Sequence, residues 1–423
     1  MNDVPFNLNA STLNELSAAI QVLSEGFKQL PATDSQPGDL LPVLKHVAER
    51  MHENYPYHHP FYLGQMLKPP HPVAAAAYAL AMCINPNNHA HDGGIASSQL
   101  EKECIAQLGE MIGWQQLLGH LCSGGTMANC EALWVARELT TGGVAASSMA
   151  HYTHERLCGV LQIPFQSVPV DDRGRMDMQQ LEKMVSDGDV GTVVVTLGTT
   201  GLGAVDPLAE VLTLRDKYGF RVHVDAAYGG YFKLVEDLAP ETRAAFDVMH
   251  EADSIVIDPH KHGLQPYGCG AVLFRDHEVA RVYKHDSPYT YFTSDDLHLG
   301  EISLECSRPG AAAVALWATM QHLPLSTNGA FSQQLSKSRQ AAMQLHQWLE
   351  DSSHFIPVLS PELDIVVWLV RSPRVSTSSE LARRFFDSAA QHDLHLALLK
   401  LDRTFWERSG IELDWDQEQV TCL

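Results

Sequence analysis

Residues 191–230 read GTVVVTLGTTGLGAVDPLAEVLTLRDKYGFRVHVDAAYGG. The stretch opens on an unbroken β-branched run, passes through a helix-spaced segment at 207–218, and returns to a second run, FRVHV, at 220–224. Two continuous apolar strands joined through a helix are the pattern of parallel strands buried on both faces. The same rhythm continues outward. Residues 254–257 (SIVI) and 270–274 (GAVLF) read as further strands, and 127–139 as a helix. The centre of the chain is therefore α/β, with a mainly parallel sheet covered by helices.

The flanks differ in kind. Residues 13–30 have helical spacing, with Ser11 or Thr12 as the cap. PATDSQPGD at 31–39 is a loop by composition, and HHPFYLGQMLKPPHP at 58–72 is irregular because of its prolines. The longest apolar-rich stretch, 73–84, is far short of a bilayer span and reads as a buried helix. Beyond a hinge at 323–329 come a helix (330–349), a strand (365–370) and a helix (379–392). The expected division is an N-terminal helical segment (1–72), a large domain (73–322) and a smaller C-terminal α/β domain (323–423).

Composition narrows the function. The chain carries 51 acidic residues against 29 Lys and Arg, a net charge of -22. Nucleic acid and anionic membrane surfaces both call for a basic face, so neither is an expected partner. The first ten residues, MNDVPFNLNA, lack the basic-then-apolar order of a secretory leader. The eight cysteines include no CxxC pair and read as reduced thiols, which places the protein in the cytoplasm. Among the 22 histidines, NNHAHD at 87–92 invites a metal reading, but no third ligand stands at a zinc-site spacing.

Ligands of open α/β sheets bind beyond the carboxyl ends of the strands. Four such ends carry unusual polar groups. LCSGGTMAN (121–129) is a small, hydroxyl-rich turn entering a helix, a seat for phosphate. TLGTT (196–200) offers threonine hydroxyls. HVDAAYGG (223–230) ends a buried strand on Asp225, a carboxylate that needs a cationic partner there, and Ala226 and Ala227 leave room for a flat ring. DPHKHGLQPYGCG (258–270) places Lys261 after SIVI, where its amine can act as a Schiff-base nucleophile. Each turn taken singly is ordinary turn chemistry. Together they supply a lysine, an acid for a pyridine nitrogen and a phosphate seat, the set that pyridoxal 5'-phosphate (PLP) requires.

With AHYTHER at 150–156, these motifs stand in the order of a known family. The sequence resembles the PLP-dependent amino-acid decarboxylases of the aromatic-amino-acid, tyrosine and glutamate decarboxylase group, over roughly residues 55–310. The resemblance implies the PLP-dependent transferase fold (fold type I): a large domain with a seven-stranded, mainly parallel sheet and a smaller C-terminal domain. It implies that Lys261 bonds the cofactor and Asp225 pairs with the ring nitrogen. His151 would stack on one ring face and Ala227 pack on the other. Gly125, Thr126 and His260 would hold the phosphate, with Thr200 near the ring. It further implies a proton-donating tyrosine on a closing loop, for which HDSPYTYFTSDD (285–296) offers Tyr289 and Tyr291.

Arg308, in LECSRPG, matches a family arginine and is a candidate for substrate contact, as is His89. A tight arginine clamp on the departing carboxylate would stabilise the ground state and slow decarboxylation. Transaminases use such a clamp, and Arg371, Arg374, Arg383, Arg384 and Arg403 are its candidates in the C-terminal region. Residues 87–98 fall where the family's neighbouring subunit lines the pocket, so a homodimer with shared sites is implied. The polar Asn88, His89, His91 and Asp92 there depart from the aromatic-substrate pattern. The family's small domain usually runs past the final VTCL, which reads as an apolar strand, so either the sequence is truncated there or this member is short.

The reading is α-decarboxylation of a free L-amino acid, aromatic or acidic, to an amine and CO2. Its rivals are other PLP chemistry on the same fold (transamination or carbon–carbon lysis) and a catalytically idle member of the fold.

Overall fold

The computed structural model describes residues 6–31, 38–64, 66, 68–284, 298–409 and 411–423. Seven strands form its central sheet: β1 (Leu118–Cys122), β2 (Gly143–Ser147), β3 (Phe165–Val168), β4 (Val190–Thr196), β5 (Arg221–Asp225), β6 (Ser254–Ile257) and β7 (Gly270–Phe274). Their order across the sheet is β1-β7-β6-β5-β4-β2-β3. β7 runs antiparallel to both neighbours, and every other pair is parallel. The four sequence-read strands are all present. Every residue of β1, β2, β4, β6 and β7 is buried, the reason these runs show no polar alternation. Each fully buried Val, Ile or Leu among them contributes about 1.5–3 kcal/mol of transfer free energy.

The helices named below are α1 (Ala10–Glu25), α2 (Leu41–Met51), α3 (Pro72–Met82), α4 (Ile95–Ile112), α5 (Gly125–Leu139) and α6 (Thr153–Leu161). α5 packs over β6 and β7, which sets its N-terminus at the carboxyl edge of the sheet. β1, β4, β5 and β6 all end at this edge. The reversed β7 enters there at Gly270, paired with Cys122. A Cβ on Gly270 would lie 2.6 Å from Gly124 Cα, so only glycine lets the β1–α5 turn approach this closely.

After the helices Gly310–His322 and Ala330–Glu350 come two small antiparallel sheets, β8 (Phe355–Pro357) with β9 (Trp368–Val370), and β10 (Leu399–Asp402) with β11 (Gln419–Cys422). The last strand ends the chain inside a core shared by Leu369, Leu401, Trp406 and Val420.

Several element readings need correction. The first helix starts at Ala10, capped by Asn9 rather than Ser11 or Thr12, because the Asn9 side chain accepts the Thr12 N–H. Residues 73–84 do contain a helix, but only Ala74 and Ala81 of it are buried, and Met82 and Ile84 face outward. The strand read at 365–370 shrinks to Trp368–Val370, the length of its short partner. The helix read at 379–392 starts earlier, at Val375, because Asp416 from a distant segment takes the Ser376 N–H and hydroxyl. Among the described residues, no helix is long and apolar enough to cross a membrane, and no set of His, Cys, Asp or Glu is grouped to hold a metal.

Candidate active site

A cavity of about 390 Å³ opens at the carboxyl edge of the sheet. The turns after β1, β4, β5 and β6 all reach it, as does the start of α6. The local sequence makes each turn small or polar for a physical reason.

The turn after β1 carries Ser123, Gly124, Gly125 and Thr126 into α5. A Cβ on Gly125 would sit 2.7 Å from Asp258 Oδ2, and one on Gly124 would meet His260 Cε1 at 3.0 Å. Both glycines are thus required by the neighbouring DPHK turn. The first-turn N–H groups of α5 have no partner within the helix and face the cavity with the positive end of its dipole. The Thr126 hydroxyl lies 3.4 Å from that of Thr153.

The turn after β6 holds Asp258, His260 and Lys261. Lys261 Nζ stands 3.0 Å from Asp258 Oδ2, and His260 Nε2 lies 3.6 Å from the same oxygen. Burial lowers the His260 imidazole below its usual value, so its ring is neutral at neutral pH. Asp258 Oδ1 and His260 Nδ1 are buried without a hydrogen-bond partner among the described residues, and so is Thr196 Oγ1 across the cavity. Orphaned polar atoms around one cavity are the mark of a site built for a polar ligand.

Asp225 ends β5 and faces the cavity from a fully buried position. His154 Nε2 approaches its Oδ2 at 2.8 Å, the Ala227 N–H donates to Oδ1 at 3.1 Å, and Asn129 Nδ2 donates to Oδ2 at 3.4 Å. Burial alone would raise this carboxyl. The His154 hydrogen bond and charge, the Lys261 charge and the Ala227 N–H outweigh it and hold the group well below the usual carboxylate range. Behind it, His223 Nε2 lies 2.8 Å from Asn129 Oδ1, and His223 Nδ1 lies 2.8 Å from Ser254 Oγ. Burial pushes His223 down to about 3, so it is neutral. Its Nε2–H donates to Asn129, and the Ser254 hydroxyl donates to Nδ1. A buried hydrogen-bonded line from β6 through β5 and α5 therefore fixes the carboxylate.

His151 also lines the cavity, half-buried, and its Nδ1 accepts the Thr153 N–H at 3.3 Å. Burial lowers its imidazole, so the neutral ring carries its proton on Nε2. Ala227, Thr200 and Tyr228 complete the wall.

Gly125, Thr126, His151, Thr200, Asp225, Ala227, His260 and Lys261 are thus brought together. Arg308 is not. It is buried, and its Nη1 donates to Glu101 Oε1 at 2.7 Å and to the Leu121 carbonyl, with Nη2 on Asn88 O. This corrects the expectation of substrate contact: its charge is spent on Glu101 within the chain. His89 is half-buried beside Gly300 and does not line the cavity of its own chain. Tyr289 and Tyr291 lie outside the described residues. Arg371, Arg374, Arg383 and Arg403 engage Phe355 O, Asp414, Thr421 and Glu407, away from the cavity.

The sequence reading missed His154, Asn129, Asp258 and Thr196. Two of these had a signal. His154 stands three positions after His151, in the first turn of α6, and Asn129 four after Gly125 on one face of α5.

The residues present fit PLP. A lysine amine, an ionised buried acid and a glycine-lined helix N-terminus with unpaired polar atoms share one cavity, and each matches a different part of that cofactor.

Comparisons with known proteins agree. An L-tyrosine decarboxylase of Enterococcus faecium is 27% identical over 97% of this chain and 88% of its own length. An L-aspartate decarboxylase of Thermococcus kodakarensis is 30% identical over 66% of this chain and 72% of its own length. Among solved structures, Oryza sativa TDC with PLP and tryptamine superposes with a TM-score of 0.78 at 17% identity, covering 98% of this chain and 94% of that one. Mouse CSAD in apo form gives 0.77 at 20% identity, covering 93% and 92%. These two likenesses establish fold type I. The family described as the pyridoxal-dependent decarboxylase conserved domain matches residues 134–371, which include Asp225 and Lys261. The chain belongs to the pyridoxal-dependent decarboxylases, and pyridoxal phosphate is its cofactor.

Proposed function

We propose that the protein decarboxylates a free L-amino acid with an aromatic or acidic side chain, bearing its cofactor on Lys261. The observation that carries this is the meeting of Lys261, the ionised Asp225 and the α5 N-terminus in one cavity. The substrate classes follow the relatives, named for tyrosine and for aspartate.

PLP, when bound, supplies an electron sink for the pair left behind as CO2 departs. The chain's own residues do the rest. Asp225 holds the ring nitrogen protonated, and its three donors keep the carboxylate charged and aimed. His151 and Ala227 would confine the ring. The N–H groups of Gly125 and Thr126, the Thr126 hydroxyl and His260 would bind the phosphate, with Thr200 beside the ring. The Nε2–H of His151 orients the substrate carboxylate. Tyr289 or Tyr291 would deliver the proton to Cα.

The working form is a homodimer. No residue of α1 or α2 is buried, and Leu13, Val22, Leu44 and Val47 all face outward. Met82 and Ile84 are exposed as well, and a second copy would cover such apolar side chains, as a two-fold dimer does. His89 would then reach the partner's substrate. The division at 1–72, 73–322 and 323–423 belongs to the same proposal. A cytoplasmic site is supported by the acidic surface charge and by eight free thiols.

The test is a product assay. PLP-loaded protein is mixed with a panel of aromatic, acidic and basic L-amino acids, and CO2 and amine are recorded by mass spectrometry. An amine from the aromatic or acidic class is expected. An α-keto acid would point to transamination, an aldehyde to carbon–carbon lysis, and no product at all to an idle member of the fold; each would sink the proposal.

A further inference from the structure

Asp364 lies between β8 and β9, and its side chain is only 1% exposed. Groups from four other parts of the chain converge on it. The Tyr228 hydroxyl donates to Oδ1 at 2.6 Å, and the Ser338 hydroxyl donates to Oδ2 at 2.7 Å. His262 Nε2 lies 3.1 Å from Oδ2, and Lys68 Nζ lies 3.6 Å from it. Burial alone would raise this carboxyl; the His262 charge and hydrogen bond, the Lys68 charge and the Ser338 hydroxyl hold it well below the usual range.

His262 has a second contact. Its Nδ1 lies 2.9 Å from the backbone oxygen of Tyr228. A carbonyl and a carboxylate accept hydrogen bonds and donate none. Both contacts are hydrogen bonds only if the ring carries both protons. His262 is therefore an imidazolium in this arrangement, and Asp364 is its counter-ion.

The place of this pair gives it a role. His262 follows Lys261, and Tyr228 follows Ala227, three positions after Asp225. The imidazolium thus bridges the two segments that flank the cofactor cavity, the end of β5 and the turn after β6. The Lys68 segment is tied to the same turn, since the His71 N–H donates to Leu264 O at 2.9 Å. A cofactor held at its ring nitrogen by Asp225 and bonded to Lys261 spans these two segments. A displacement of about 1 Å between such anchors is costly to reaction geometry.

We propose that His262 and Asp364 are positioning residues: the ion pair fixes the spacing of Lys261 from Asp225 and so prepares Lys261 to bond the cofactor. The inference rests on the reading of Lys261 as the cofactor-bearing residue. The charged groups facing His262 are Asp364, Lys68 through the same carboxylate, and its chain neighbour Lys261; the Tyr228 hydroxyl shares the carboxylate, and the rings of Tyr228 and Phe232 pack edge-on against it. Loss of either His262 contact frees one of the two segments from the other.

The experiment uses the full-length protein stripped of cofactor, then titrated with PLP at neutral pH and followed by absorbance. Borohydride reduction and peptide mass spectrometry locate the bond. Wild type is expected to be labelled at Lys261. His262→Gln, which cannot donate to both oxygens from opposite sides, is expected to weaken PLP about tenfold at neutral pH. Asp364→Asn, which keeps an acceptor for His262 but removes the counter-charge, is expected to weaken PLP by less than His262→Gln and in the same direction. Circular dichroism establishes that each variant folds, and if His262→Gln does not, the near-isosteric Asp364→Asn decides alone. Wild type unlabelled at Lys261 would overturn the underlying reading. Wild type labelled at Lys261, with PLP affinity unchanged in the folded variants, would overturn the positioning role and leave that reading standing.

Discussion

His154→Leu tests the buried network beneath the cavity. Leucine fills much of the imidazole's space and donates nothing. Asp225 then keeps only the Ala227 N–H at 3.1 Å and Asn129 Nδ2 at 3.4 Å. The lost bond is the shortest of the three, at 2.8 Å, and goes to a buried charge. Such bonds are worth about 1.5–3 kcal/mol net. The sign with pH follows from the depressed Asp225 carboxyl. A carboxyl held below its unfolded value of about 3.9 contributes stability that is fully present above that value and is lost as pH falls through the folded one. In the variant the balance tips toward burial, so the contribution shrinks and acid unfolding begins at higher pH. The assay is urea unfolding of the cofactor-free protein at fixed concentration, followed by circular dichroism at neutral pH, with an acid titration alongside. The expected result is a fall of about 1.5–3 kcal/mol for His154→Leu and a smaller one for His154→Gln, which keeps a donor. An unchanged urea midpoint, or equal losses in the two variants, would refute the argument.

Gly270→Ala should push the β1–α5 turn outward, because its Cβ would sit 2.6 Å from Gly124 Cα; PLP affinity by absorbance titration is expected to fall about tenfold, and an unchanged affinity would show that the turn does not seat phosphate. Lys261→Ala should fold normally yet show no covalent cofactor after borohydride reduction. Tyr289→Phe and Tyr291→Phe, tested for amine formation, should separate, the proton donor losing about 10²–10⁴-fold in kcat; two near-normal variants would remove both tyrosines from the chemistry. Val22→Glu with Leu44→Glu should convert a sedimenting dimer into monomer, whereas an unchanged sedimentation coefficient would remove the α1–α2 face from the interface.

Much of the sheet was legible in residues 191–274, because strands buried on both faces carry uninterrupted apolar runs that local reading detects. The cavity was legible for a similar reason: its ligand-facing groups sit at strand ends, where the switch from apolar to small and polar is visible in one dimension. Asp225, Lys261 and the small Ala227 stood out on that ground alone, and the family resemblance added His151 and His260. The direction of β7 was not legible, since GAVLF reads the same either way and the pairing of Gly270 with Cys122 is a tertiary fact.

What the amino-acid sequence by itself determined is the set of chemical groups and their order: α/β alternation, a lysine, a buried acid and a glycine-rich helix entry. What only the tertiary structure decided is which of these groups are spent on one another. Arg308 matched a family position, yet its guanidinium is consumed by Glu101, 207 positions away. His154 and His262 were two histidines among many until folding set one against Asp225 and the other between Tyr228 O and Asp364. Hydrogen bonds and ion pairs act over about 3 Å in space, at whatever separation the chain runs between the partners.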